Sequence, residues 1–401
     1  MYRNITLLLM YTLMCKISLG SQDGNFKNNI YLQPVYLIGK NIENYTYFPK
    51  TENVVGVGFD VGINCRDTSK SITYFYNNPL YGLGFMFQDL GNSEKLGYEF
   101  SVFPYLAFSP LKWINSMKIK TGIGISYFNK TYNDSTNRQD KAIGSHYTWC
   151  FQLGLMQNIP VTNNVKITLG LAYLHDSNGH IKLPNFGLNR KAAYISMQYI
   201  FGKNSKPEKY RYNKNRSYQK QLYLYLRQGN GYQALGGTTG PVNAERGMVY
   251  SFAAGGGVIL RNHIKVRSGI TYRYYTLQRE YSKSLDDPEI SPFTFASNVY
   301  IPVGCEFILG HFGIDIESGI NLKKDFYPYF FEEFEHGSEI SYKLRKMIPC
   351  RLGLYCYIIN TEKDPINNLS IGAHINANYG EADFSEISIS YTRIIKKNSN
   401  K

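Results

Sequence analysis

Lys118-Ile-Lys-Thr-Gly-Ile-Gly-Ile-Ser-Tyr127 sets Ile119, Ile123 and Ile125 on one parity and Lys118, Lys120, Gly122 and Gly124 on the other. Successive side chains of a strand point to opposite faces, so this is a strand with one oily face and one small or polar face. A soluble sandwich alternates in the same way, and the rest of the chain has to separate the two. Its 401 residues include 36 Gly, 36 Tyr and 23 Phe, with only 18% charged residues. That is too aromatic and too sparsely charged for a disordered chain. The Gly and Tyr excess suits a sheet whose rims sit at a lipid interface. No apolar run reaches the ~18 residues of a spanning helix. A chain like this crosses a membrane only as a closed barrel, because lipid leaves open sheet edges unsatisfied.

Working outward from 118–127, period-2 alternation bounded by turn residues predicts strands near 30–42, 52–65, 79–90, 95–110, 115–129, 145–160, 165–178 and 190–202. Residues 203–218 break the pattern with a basic stretch that reads as a linker. Eight more strands are predicted near 219–233, 247–260, 263–281, 291–309, 311–324, 341–359, 368–380 and 383–395. Cys150 and Cys350 each precede a Leu-Gly-Leu triplet, at 153–155 and 352–354, which suggests a tandem duplication with a period near 200 residues. The fold class expected is therefore all-β, an antiparallel eight-stranded outer-membrane barrel over 21–202, duplicated as a second barrel over 219–401. One sixteen-stranded barrel also fits the count. Two are preferred, since Ala193 to Phe201 alternates, ends on an aromatic and runs directly into the polar linker.

Residues 1–20 read as a signal peptide: Arg3, an apolar core from Ile5 to Met14, and Ser18-Leu19-Gly20 as the cleavage site. Cys65, Cys150, Cys305, Cys350 and Cys356 remain, an odd number that cannot form a full disulfide framework, so most are expected to be apolar fillers. The net charge of +14 suits a phosphate-bearing anionic lipid surface, and nucleic acid is a poor partner for basic residues spread through an exported chain. Gly255 to Gly257 lack the Lys-Ser/Thr of a phosphate loop. Glu332, Glu333 and Glu335 lack calcium spacing and read as a solvated loop. No metal or other cofactor is implied.

The chemistry concentrates in VKITLGLAYLHDSNGHIKLPNFGLN, residues 165–189. Leu169, Leu171, Tyr173, His175 and Ser177 share one strand face, and Gly170, Ala172, Leu174, Asp176 and Asn178 the other. His175 and Ser177 thus extend the lipid-facing side. They sit roughly 7 Å apart along the strand, close enough for a base beside a nucleophile. With the mature N-terminus in the periplasm, the seventh strand ends at the cell exterior, and the pair faces the outer leaflet. In a Gram-negative outer membrane that leaflet holds lipid A.

His175, Ser177 and Asn178, followed by Pro184, Asn185 and Gly187, resemble the motif of the PagL-type lipid A 3-O-deacylases. The resemblance extends over roughly 25–202 and is closest over 165–201. It implies an eight-stranded outer-membrane barrel that acts on lipid A of the lipopolysaccharide, with Ser177 as nucleophile attacking an ester-linked acyl chain, His175 as general base and Asn178 helping to stabilise the oxyanion. The pattern departs at Asn189, where the family's acidic partner of the histidine is expected. An amide oxygen can hold the imidazole tautomer but cannot neutralise the imidazolium. Asp134 and Asp140 in the 129–144 loop are candidate substitutes, whereas the pleat turns Asp176 away. In the second half Ile375 and Ala377 fill the slots of His175 and Ser177, and His374 takes the interior face, so no hydrolase site is expected there. Two readings stay open: an ester hydrolase working from within the bilayer, and a non-catalytic barrel with a structural or adhesive role.

Overall fold

A computed structural model of the protein describes residues 30–65, 71–111, 113–201, 220–285, 287–335 and 337–398. The expected signal peptide and the linker at 203–218 lie outside the described residues. Two closed antiparallel barrels of eight strands each are formed. The first comprises β1 (Ile30–Ile42), β2 (Val54–Asn64), β3 (Leu80–Asp89), β4 (Tyr98–Phe108), β5 (Met117–Phe128), β6 (Tyr147–Pro160), β7 (Val165–Ser177) and β8 (Leu188–Ile200), with β8 pairing back onto β1. The second comprises β9 (Lys220–Ala234), β10 (Arg246–Leu260), β11 (Ile264–Tyr275), β12 (Ser297–Leu309), β13 (Phe312–Lys324), β14 (Pro349–Tyr357), β15 (Asn367–Asn378) and β16 (Glu381–Asn398), closed by β16 on β9. Closure of each half on itself decides between two barrels and one. The two Leu-Gly-Leu triplets fall on β6 and β14, the sixth strand of each barrel.

Outward faces are apolar, with Leu169, Leu171, Ile195 and Met197 exposed on the first barrel and Leu224, Leu226, Ile387 and Ile389 on the second. Inside, most charge is paired, while Lys118, Arg273 and Lys324 are held by carbonyl, hydroxyl or amide oxygens. Lys120 reaches Asp60 at 2.6 Å, and Arg190 bridges Glu99 and Asp176. In the second barrel Arg267 and Arg351 bracket Asp315 at 2.7 and 2.8 Å, and Arg227 holds Glu317 at 2.9 Å. Opposed charges are what make so narrow a polar lumen tolerable, because an unpaired buried ion costs several kcal/mol.

The second barrel departs from expectation at three strand ends. The predicted spans 263–281, 291–309 and 341–359 each run into a helix, at Thr276–Ser284, Pro292–Phe295 and Glu339–Met347. Alternation continues there by chance of composition, but these residues lie in long connections beyond the sheet, with no ladder partner to hold them extended. The acidic run corrects a further expectation. It closes the helix Tyr327–Phe334, and Glu335 is buried, accepting from Tyr327 Oη at 3.0 Å and Arg345 at 3.0 Å. All five cysteines of the described residues are free thiols, with Cys65 and Cys150 buried.

The barrels lie side by side. Leu106, Ile123, Trp149 and Phe151, all of outward parity on β4, β5 and β6, pack with Ile314, Leu352 and Leu354 of β13 and β14. Ile123 is only 3% exposed as a result. Most long connections gather at one end of both barrels, among them 129–146, 178–187 and 235–245, where 379–380 is a two-residue exception. Short turns such as 161–164 and 310–311 lie at the other, where 65–79 is a long one. That asymmetry is the one expected of barrels with the long loops outside and short turns in the periplasm.

Candidate functional site

Strand β7 reaches the long-loop end at Ser177, and a ten-residue turn, 178–187, leads into β8. His175 and Ser177 take the outward parity after Leu169, Leu171 and Tyr173. Asn189 stands directly opposite His175 in the β7–β8 ladder, and its Oδ1 lies 2.6 Å from His175 Nδ1. The same oxygen accepts from Tyr173 Oη at 2.7 Å. With an amide oxygen as its partner, Nδ1 carries the proton, and the Nε2 lone pair is left for a substrate or a neighbouring hydroxyl.

Ser177 is 4% exposed. Its Oγ accepts from the Gly179 amide at 3.2 Å and from Asn185 Nδ2 at 2.9 Å. Both contacts are donors to the oxygen, so the hydroxyl proton is not consumed by them. The hydrogen bonds of Ser177 therefore run to the turn, and those of His175 to β8. Asn178 is tied down locally: its amide N–H donates to Asn185 Oδ1 at 3.2 Å and its Nδ2 to the Lys182 carbonyl at 2.7 Å. The donors that stand at Ser177 Oγ belong to Gly179 and Asn185. Neither stood out from strand parity, although Asn185 was visible as part of Pro184-Asn185-x-Gly187.

The turn is shaped around the imidazole. Gly187 adopts a φ of +72°, and a Cβ there would lie 2.7 Å from His175 Cε1. A left-handed backbone and a close approach make the same demand for glycine. The neighbouring loop supports this arrangement from above, with Phe186 and Gly187 amides donating to the Lys141 and Ala142 carbonyls at 3.1 and 3.0 Å.

Neither candidate acid is among the hydrogen-bond partners of His175. Asp134 is exposed and pairs with Arg138 at 3.3 Å. Asp140 is buried in the 129–146 connection, where its carboxyl accepts from the Ile143 amide at 3.3 Å. Burial pushes that carboxyl up to about 8, against the lowering effect of the Ile143 and Ala142 amides. Asp176 points into the lumen and is held by Arg190 and Ser126, as its parity requires. In the second barrel His374 is likewise interior, 2.8 Å from Arg351 and 3.2 Å from Asp315, while Ile375 and Ala377 take the outward parity.

The second barrel nevertheless borders the site. The Asn185 amide donates to the Thr238 carbonyl at 2.9 Å, the Ala234 amide to the His180 carbonyl at 2.8 Å, and His180 Nε2 lies 2.9 Å from the Gly236 carbonyl. Trp149 Nε1 donates to Ser385 Oγ at 3.0 Å. A Cβ on Gly179 would come within 2.2 Å of Ser385 Oγ and 3.3 Å of Ile375. The β6 flank of the site is thus walled by protein, and the β8–β1 flank faces outward.

Comparison with known proteins finds no match among curated sequences. Among solved structures, the crystal structure of the outer membrane enzyme PagL is similar at 15% identity, covering 41% of this chain and 97% of that one with a TM-score of 0.25. CdiB from Acinetobacter baumannii is 9% identical, covering 91% of this chain and 60% of that one with a TM-score of 0.17. A bacterial polysaccharide outer membrane secretin is 9% identical, covering 92% and 99% with a TM-score of 0.19. Over residues 56–198, from β2 to β8, the first barrel matches the family described as lipid A 3-O-deacylase (PagL), and the second barrel lies outside that match.

Proposed function

We propose that this protein, which resides in the outer membrane of a Gram-negative envelope, is a lipid A deacylase whose active centre is the outer end of β7. The observation that carries the reading is the outward-facing His175 and Ser177, with Asn189 on Nδ1, inside the segment that matches the deacylase family. Ser177 Oγ attacks the carbonyl carbon of an ester-linked acyl chain while His175 Nε2 takes the hydroxyl proton. Negative charge collects on the former carbonyl oxygen, beside the Gly179 N–H and the Asn185 amide. Collapse expels the sugar alkoxide, which receives the proton from Nε2. Water, deprotonated by the same nitrogen, then releases the fatty acid and regenerates Ser177. Asn189 holds the ring without supplying charge, so turnover is expected to be slow.

A second reading, a non-catalytic barrel with a structural or adhesive role, is favoured by that same amide at 189. Mass spectrometry of lipid A from cells expressing the wild type or Ser177→Ala tests the choice. Loss of one ester-linked acyl chain in the wild type alone supports the enzyme, and identical acyl composition sinks it.

A further inference from the structure

Lys40 and Lys191 face each other directly across the β1–β8 closure of the first barrel. Both are exposed and of outward parity, and neither has an ion-pair partner among the described residues. Like charges placed opposite each other on one sheet face destabilise the pairing, unless an anion sits between them. Immediately beneath them the face turns apolar, with Ile38, Leu171 and Ala193 exposed and lining the same groove as both lysines. Tyr173, which pairs with Lys191 in the β7–β8 ladder and donates to Asn189, forms its side. The groove is therefore charged at the top, oily below and one rung from His175, on the flank of the site that the second barrel leaves open.

We propose that Lys40 and Lys191 form a phosphate-binding site for a phosphorylated glycolipid of the outer leaflet. An acyl chain of that lipid lies along Ile38, Leu171 and Ala193. The proposal rests on the deacylase reading for its choice of glycolipid. Ser177 ends β7 at the outer rim, Lys40 and Lys191 lie deeper, and the apolar side chains deeper still. From Lys191 to the level of Ser177 is four residues of strand, about 13 Å, and lysine stems extend along an apolar surface toward the water, which shortens the span. A phosphate held there places the ester-bearing sugar between the lysines and Ser177. Charge complementarity also selects the occupant, since a neutral lipid leaves the two ammonium groups facing each other unrelieved.

The test is binding of bisphosphorylated and enzymatically dephosphorylated lipid A to the full-length Ser177→Ala protein in detergent, read by native mass spectrometry. Folding of each variant is confirmed by heat-modifiable migration. The bisphosphorylated form is expected to bind roughly tenfold better, the scale of two exposed ion pairs. Lys40→Ala/Lys191→Ala should collapse that ratio towards one, and Lys40→Arg/Lys191→Arg should keep it. An unchanged ratio in the double alanine variant overturns the proposal, as does equal binding of phosphatidylglycerol. Lipid A deacylation that survives Ser177→Ala in cells sinks the catalytic reading instead, while the phosphate preference is still decided by the binding ratio.

Discussion

His175 Nδ1 and Asn189 Oδ1 lie 2.6 Å apart across one rung of the β7–β8 ladder. The contact has the geometry of a base and its orienting group but lacks a charge. In serine-protease triads the acid-to-amide change lowers turnover by about 10⁴. Asn189→Asp, nearly isosteric, should therefore raise kcat for lipid A, by up to about 10⁴ if the carboxylate takes the same position. Asn189→Ala should lower it. Deacylation rates of the three proteins in detergent provide the check, and a rate unaffected by either substitution removes Asn189 from the mechanism.

Gly187 supplies a second prediction, because a Cβ there strikes the imidazole and approaches the Asp176 carbonyl oxygen at 2.9 Å. Gly187→Ala places a methyl group 2.7 Å from His175 Cε1 at a φ of +72°. The backbone alone costs about 1–2 kcal/mol for an L-residue in that region. The ring must also shift, and misplacing a catalytic group by about 1 Å can cost 10²-fold in rate. The variant is expected to migrate as a folded barrel on gels yet to lose one to two orders of magnitude in deacylation, roughly the scale of that misplacement.

Most of the first barrel was legible because each strand is bounded on both sides by a period. Lipid outside and a narrow lumen inside punish any slip of register, so the alternation in 52–65 predicts Val54–Asn64 to within two residues. His175 and Ser177 were legible for the same reason, since parity fixes which way they point, whereas Asn189 was legible only through the family resemblance, which expects an acid at that position. Gly179 was not, and Asn185 was legible as part of the motif but not as a partner of Ser177. Their bonds to Ser177 come from the path of the 178–187 turn, which has no period to read. The wall made by Thr238, Gly236 and Ser385 depends on how two barrels meet, and nothing in the local pattern of either encodes that contact.

Asp140 predicts a pH dependence in the loop above the site. Its folded-state value of about 8 lies above the ordinary 3.8, so the folded form holds a proton that the unfolded form releases between those limits. Stability of this loop should accordingly fall as pH rises from about 4 to about 8 and level off above. Asp140→Asn abolishes the titration. Hydrogen exchange of the Phe186 and Gly187 amides, which donate to Lys141 and Ala142, reports it as a wild-type-to-variant ratio at each pH. A ratio independent of pH contradicts the expectation.

The seam between the catalytic turn and the second barrel should respond with the opposite sign. Burial depresses His180 below its ordinary 6.5, outweighing the raising effects of Asp383, the Gly236 carbonyl and Glu381. Because the folded form resists the proton that the unfolded form accepts, the contact loses stability as pH falls through about 6.5. His180 Nε2 faces Gly236, and the His180 carbonyl accepts from Ala234, so exchange of the Ala234 and Asn185 amides should accelerate on acidification. His180→Gln retains a side-chain N–H within reach of the Gly236 carbonyl and has no titration, so its protection should be flat across the same range. If the second barrel steadies the turn that carries Gly179 and Asn185, deacylation by the wild type should decline with the same acidic midpoint. In His180→Gln the part of the decline that follows the exchange should disappear, leaving only what protonation of the general base His175 imposes. A rate profile identical in the two proteins separates the seam from catalysis.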